Sequence, residues 1–494
     1  MKTFKDYLEE IGEVGYIVSL SHSIILVSGL PFLRLGEMVI TEEEEKGWVY
    51  GLRENIAEVL MFETKNLKVG QKVTRTQSMF DLVVGEGVLG RVLNPILQPL
   101  DNLGPISGEK KYLPIEREAP NIIERVRINK PLETGVMIVD LLVPLGYGQR
   151  ELVIGDEKTG KTTFLLRMVA RQVKKGVVCV YTCIGKKIGD VKQIEENLKK
   201  TGSFEKSVLI VALPNFPTPL IFLAPYAGIT VAEYFRDRGE SVILVLDDMT
   251  THAKVYREIS LLLKRSPGRD SYPGDIFHIQ AAILERAGNI RVENKEVSIS
   301  AFPVADTLEN DITGFIQTNL IAMTDGHLFF DIDEFRKGRR PAINPFLSVS
   351  RLGKQTRTLL EQFLASWLQR KLGDYKRALE IIQFGVELPK ATKEIIDLGE
   401  KIELVLNQEP EISLSREFQM FLIGLLRSKF WKEKDLNTVK NELSNFLQVY
   451  KRGGFSHIER TIEELKNQKE FDDFIERKTP FLKEILYAYS KKNK

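Results

Sequence analysis

The run ELVIGDEKTGKT, from Glu151 to Thr162, places a short apolar strand directly ahead of a glycine loop that closes on Gly160, Lys161 and Thr162. The spacing GxxxxGK[ST] is one that grips the phosphate tail of a nucleotide. Its glycines let backbone N–H groups curl around the phosphates, Lys161 reaches the terminal ones, and the Thr162 hydroxyl ligates Mg2+. Gly155, Asp156, Glu157, Lys158 and Thr159 complete the loop. The segment TTFLLRMVARQVKK that follows reads as a helix whose N-terminal end, positive through its aligned peptide dipoles, faces the anion. Further on, four apolar residues, Ile243 to Leu246, run into Asp247 and Asp248. Carboxylates at the end of a buried strand can order a magnesium shell, and Asp247 is the chosen metal partner with Asp248 in support. The chemistry these residues imply is the binding of ATP or ADP together with Mg2+.

Such groups act only if a scaffold holds them. Beyond the loop, apolar strands alternate with helical stretches, most clearly VVCVYTCIG, SVLIVALP, SVILVLDD and VSISAFPV. That alternation implies a mostly parallel sheet flanked by helices. Ahead of the loop, from Val14 to about Thr76, the short runs GYIVSL, SIILVSGL and EMVITE are separated by Gly, Pro and charged turns, which fits a small β-barrel. The acidic run Glu42 to Glu45 lies between two such strands and reads as a solvated hairpin tip. The Gly- and Pro-rich stretches GEGVLGRVLNPILQPLDNLGPI and KPLETGV read as ordered connecting loops. After about Arg357 the strands stop, and TRTLLEQFLASWLQRKLGDYKRALEII and FLIGLLRSKFW carry helical periodicity. The expected fold is therefore multidomain α/β: a β-barrel over 1–76, a P-loop α/β domain over 77–357 and a helical domain over 358–494.

Composition narrows the partners. With 494 residues, 43% of them hydrophobic, the chain is too long for one core and apolar enough to fill several. Lys and Arg total 70 against 68 Asp and Glu, so charge gives no reason to expect nucleic acid or an anionic membrane as the main partner. No apolar stretch is long enough to cross a bilayer, and MKTFKDYLEEIGE is acidic and amphipathic rather than a basic leader, which places the chain in the cytoplasm. Cys179 and Cys183 share one strand-like segment and read as buried and structural, and the five histidines show no ligand spacing.

The same elements carry a resemblance. PLIFLAPYAGITVAEYFRDRGESVILVLDDMT, then YREISLLLKRSPGRDSYPGDIFHIQAAILERAG, then PAINPFLSVSRLG are similar to segments of the alpha-subunit family of rotary ATP synthases, from about Gly15 to about Gln419. The loop GDEKTGKT is similar to the alpha pattern GDRQTGKT rather than to the GGAGVGKT of the catalytic beta subunits. The resemblance implies a β-barrel, a RecA-type nucleotide domain and a helical bundle. It also implies a heterohexamer in which this chain alternates with beta subunits around a gamma central stalk, with delta and the peripheral stalk as further partners. The membrane is then met only through the complex, at its cytoplasmic face. Catalytic chains of the family end the next strand with GER, whose glutamate orients the attacking water; here the residues are Gly185, Lys186 and Lys187. A protonated lysine cannot accept that water's proton, so the chain is expected to bind ATP without turning it over. The segment SVSR is matched by Ser348, Val349, Ser350 and Arg351, and the resemblance makes Arg351 an arginine finger for the neighbouring catalytic site, worth roughly 10³ to 10⁵ in turnover.

Several positions depart from the family pattern. Its Arg and Gln inside the loop are Glu157 and Lys158, and its Gln after the second strand is Lys186, which either contacts phosphate or faces solvent. The adenine-side segment KQGQ appears as Asn407, Gln408, Glu409 and Pro410, so one glutamine of the base pocket is kept. HSRLLER becomes Gln280, Ala281 and Ala282 followed by Ile283 to Arg286, and QFGVEL (Gln383 to Leu388) matches a segment that lies near the central stalk in the family. Only residues 1–13 precede the barrel, whereas family members usually carry a longer stalk-docking arm. The leading expectation is the alpha chain of a proton- or sodium-translocating ATP synthase. The alternative is an alpha-like subunit of a paralogous rotary ATPase that is not coupled to an ion-conducting ring. A self-sufficient homohexameric motor is disfavoured by GKK, and the acidic EEEE tip disfavours RNA.

Overall fold

The computed structural model describes residues 2–382 and 389–492, so QFGVEL lies outside the described residues. The chain divides into two compact units. The first comprises Met1–Arg127, Tyr147–Glu157 and Gln172–His327, and the second Ile128–Gly146, Lys158–Arg171 and Leu328–Lys494. The chain passes from one to the other inside the glycine loop, between Glu157 and Lys158.

In the first unit a closed barrel is formed by β1 (Gly15–Ser21), β2 (Ile24–Ser28), β3 (Glu37–Thr41), β4 (Lys46–Arg53), β5 (Ile56–Met61) and β6 (Lys72–Met79), ordered β1-β2-β5-β4-β3-β6. The first three are the runs expected from sequence, and β4, β5 and β6 complete the barrel. Alternate residues point inward, and Ile17, Ile25, Val27, Val39, Val49, Val59 and Val73 fill the interior. The acidic turn is only partly solvated. Glu42 to Glu44 are exposed, but Glu45 is buried and accepts the Asn66 N–H at 2.9 Å. Glu44 and Glu42 likewise accept the Phe4 and Lys72 N–H groups, at 3.0 and 3.1 Å, so three of the four glutamates fasten neighbouring backbone.

Three short strands follow: β7 (Asp81–Val84), β8 (Arg91–Leu93) and β9 (Lys111–Pro114), of which the first and third pair antiparallel. Connecting loops were expected over this stretch. Segments of three or four residues are too short for alternation to show, and β8 is identified only by its parallel pairing with a strand more than a hundred positions away. In the second unit, β10 (Pro131–Leu132) and β11 (Leu145–Gly146) form a small antiparallel pair.

The central sheet of the first unit is built from β12 (Glu151–Asp156), β13 (Val178–Ile184), β14 (Ser207–Ala212), β15 (Val242–Asp247), β16 (Gly288–Val292) and β17 (Lys295–Thr307). Its order is β12-β17-β15-β13-β14-β8, all parallel, with β16 antiparallel on β17. Strands β13, β14 and β15 are buried at every residue, as parallel strands covered on both faces require, with Val, Ile and Leu dominating β14 and β15. Cys179 and Cys183 lie in β13, both buried and both free. The second unit contains the C-terminal helices, beginning with Leu359–Ile382, Lys390–Leu406 and Arg416–Arg427. Among the described residues no helix is long and apolar enough to cross a membrane.

Candidate functional site: a nucleotide-binding loop and its acidic neighbours

Parallel sheets collect chemistry at the carboxyl ends of their strands, and the first unit does so here. β12 ends on Gly155 and Asp156. Its pairing with β17 sets Asp156 opposite Thr307, and the Asp156 carboxylate accepts the Thr307 hydroxyl and, at 3.0 Å, the Asn310 N–H. The opening of the glycine loop is thereby fastened to the end of β17.

Next in the sheet, β13 and β15 pair with Cys183 opposite Asp247. The chain leaves β13 through Gly185, whose φ of +68° suits glycine and where a Cβ would come within 2.6 Å of Thr251 Cγ2. That turn brings Lys186 over the acidic strand end, with its Nζ 2.7 Å from Asp247 Oδ1 and 3.8 Å from Asp248 Oδ2. The other Asp247 oxygen accepts the Tyr181 hydroxyl at 2.9 Å. Asp248 caps the helix Met249–Leu262, accepting the Thr251 N–H at 2.6 Å and its hydroxyl at 3.1 Å. Lys186 thus has a carboxylate partner, which neither sequence reading foresaw.

The electrostatics follow from burial. Burial alone would lower the Lys186 pKa, but the Asp247 and Asp248 charges outweigh it and hold the ammonium above its usual value. It stays protonated at neutral pH. Asp248 is pushed up to about 6, by burial first and then by the neighbouring Asp306 carboxylate. Tyr181 was missed in the sequence. The signal was an aromatic hydroxyl in a strand buried at every residue, since a buried Tyr O–H needs a partner.

Lys158 to Thr162, Ser348, Arg351 and Gln408 lie in the second unit. The loop turns through Lys158 at φ +62° and Gly160 at φ +99°, then enters the helix Lys161–Lys174. Thr159 and Lys161 are buried, Thr162 is half-buried, and Glu157 of the first unit and Lys158 are exposed. A Cβ on Gly160 would meet nothing within 4 Å, and the first turn of the helix contains no acidic residue. A helix start after a glycine loop with no acidic residue in its first turn is the arrangement that receives an anion.

Gln408 is buried with its amide committed to backbone. Oε1 accepts the Met137 N–H at 3.0 Å, while Nε2 donates to the carbonyls of Gly135 at 2.8 Å and Ile412 at 2.6 Å. It clasps two distant loops together. Ser348 is also buried, donating to the Asn344 carbonyl at 2.7 Å and accepting the Phe329 N–H at 2.9 Å. Arg351 is exposed, on a segment fixed at both sides. The Ser350 hydroxyl donates to the Pro144 carbonyl at 2.6 Å and accepts the Gly353 N–H at 3.1 Å. Gly353 packs so tightly that a Cβ there would lie 1.6 Å from Pro144 O. Within QAAILER, Gln280, which departs from the family segment, is buried and donates to the Met249 carbonyl at 2.9 Å, whereas Arg286 is kept. Arg286 is buried against Glu233 at 2.6 Å.

A parallel sheet with β12 running into GDEKTGKT and a helix, and acidic residues ending a nearby strand, defines a P-loop nucleotide-binding protein. The family described as ATP synthase alpha/beta family, nucleotide-binding domain, matches residues 135–350, and its C-terminal domain matches residues 357–487. The ATP synthase subunit alpha of Petrotoga mobilis is 35% identical over 487 residues, covering 98% of this chain and 94% of that protein. The chain belongs to the ATP synthase alpha/beta family, on its alpha-subunit side.

Proposed function

We propose that this chain is the non-catalytic, nucleotide-binding alpha subunit of a rotary proton-translocating ATP synthase. It alternates with beta subunits around a gamma shaft and meets the membrane's cytoplasmic face only through the complex. The phosphates of ATP or ADP lie along Gly155 to Thr162, with Gln408 shaping the adenine end by holding its loops together. The observation that carries this reading is Lys186, an ammonium seated on Asp247 where a hydrolysing member of the family has its glutamate. An ammonium has three donors and no acceptor, so it cannot take a proton from an attacking water.

Of the two residues expected at Mg2+, the Thr162 hydroxyl fits, as a hard oxygen donor in the first turn after the loop. Asp247 does not, since a cation already sits against its carboxylate. When bound, Mg2+ neutralises charge on the terminal phosphates. Arg351 acts on the neighbouring subunit's site: its guanidinium stabilises charge on the phosphoryl group in transfer, and Ser350 and Gly353 fix the base from which it reaches. Ser348 supports it by fixing the turn that leads into the segment.

The test is reconstitution of the complex with Arg351→Ala. Turnover should drop by roughly 10³ to 10⁵ while ADP affinity of this chain is unchanged. Wild-type turnover in that complex, or sustained phosphate release by the isolated chain, would overturn the assignment. Chains co-purifying with the native protein decide the coupling: a complex without membrane-ring subunits would favour the paralogous rotary ATPase.

A further inference from the structure

We propose that Lys186 is a built-in counter-cation: its ammonium takes the place on Asp247 that a P-loop ATPase leaves to hydrated Mg2+, so this chain holds ADP or ATP with little help from the divalent ion. The inference rests on the nucleotide-binding reading above. In P-loop ATPases the carboxylate at this strand end helps hold the metal. Here that carboxylate, 1% exposed, has one oxygen 2.7 Å from Lys186 Nζ and the other accepting the Tyr181 hydroxyl at 2.9 Å. Asp248 offers no substitute, because its oxygens accept the Thr251 N–H and hydroxyl at 2.6 and 3.1 Å.

Lys186 is held in place by its surroundings. The Cys183–Asp247 register brings the two strand ends together, and the fixed turn at Gly185 directs the next residue over the pair. Its side chain is 22% exposed, so the ammonium is largely withdrawn from water. A divalent ion drawn to Asp247 would have to displace the ammonium or lie beside it, and like charges at that range in a largely dry site repel strongly. The third carboxylate nearby, Asp306, adds its field to Lys186 and to Asp248, which holds the lysine more firmly.

The experiment measures ADP affinity of the full-length chain by titration calorimetry, in excess Mg2+ and in EDTA, for wild type, Lys186→Gln and Lys186→Arg. Wild type and Lys186→Arg should weaken by less than about threefold on chelation, whereas Lys186→Gln should weaken by about tenfold or more. A loss of about tenfold or more in wild type overturns the counter-cation role while leaving nucleotide binding intact, and this arm decides even if Lys186→Gln fails to fold. Equal, small losses in wild type and Lys186→Gln overturn it as well. Absence of ADP binding by wild type in both media overturns the nucleotide-binding reading itself, and the proposal with it.

Discussion

Replacing Gly353 by Ala tests whether the segment carrying Arg351 owes its position to a single close approach. The added Cβ would lie 1.6 Å from Pro144 O, 2.4 Å from Pro144 C and 2.7 Å from Ser350 Oγ. Two of those obstacles are backbone atoms that cannot rotate away, so the segment must move by about 1.5 Å to restore van der Waals separation. That movement breaks the Ser350 to Pro144 and Gly353 to Ser350 hydrogen bonds. Overpacking costs about 1–3 kcal/mol and the two bonds about 1 kcal/mol each, which together lower stability by roughly 3–5 kcal/mol. Ser350→Ala loses the bonds without the clash and should cost about 1–2 kcal/mol. With Arg351 in the role proposed above, displacing it by about 1 Å can cost 10²-fold in rate, so complexes with Gly353→Ala should turn over about a hundredfold more slowly at a temperature where the variant is folded. Thermal unfolding of each variant and steady-state hydrolysis by the reconstituted complex are the assays. If Gly353→Ala unfolds at the wild-type temperature and its complex runs at the wild-type rate, the pinned-segment argument is wrong.

Two further outcomes follow from buried polar groups. His252 is fully buried and stacked on Phe222 with centroids 5.2 Å apart, and burial holds its pKa down to about 3 from the usual 6.5. The native state keeps the ring neutral while the unfolded chain protonates, so this stabilisation is complete above about pH 6.5 and is lost as pH falls towards about 3, on the order of 5 kcal/mol. Urea midpoints at pH 7 and pH 4 should converge in His252→Phe relative to wild type, and an unaltered pH slope would count against it. Gln408→Glu replaces two donated bonds with a carboxylate facing the Gly135 and Ile412 carbonyls, and should lower the unfolding free energy by about 3 kcal/mol or more. A denaturant midpoint within error of wild type would show that the clasp is dispensable.

Much of this molecule can be read from local pattern. The glycine loop and the buried strands β13, β14 and β15 announce themselves through turn residues and short, largely apolar β-rich runs, and parallel burial leaves few other readings. What pattern does not reveal is neighbourhood. Lys186 belongs to Asp247 because β13 lies beside β15, and strand order is a property of the assembled sheet. Gln408 illustrates the same limit: the family resemblance points to a base pocket, while its amide is committed to backbone, two of the three partners more than 270 positions away. Glu45 reads as solvent-facing by composition, and its burial follows from the turn at Asn66 closing over it.

The barrel is closed by β1 meeting β6 at Gly15 with Val73 and Tyr16 with Lys72. A ring of strands that ends on itself offers no unpaired edge for an incoming strand to extend. Whatever abuts this part of the chain in an assembly must recognise side chains rather than borrow main-chain ladders. Neighbouring chains are thereby spared edge-to-edge fusion, and the outward residues of the barrel can differ between members of the family without risk to its hydrogen-bonded wall.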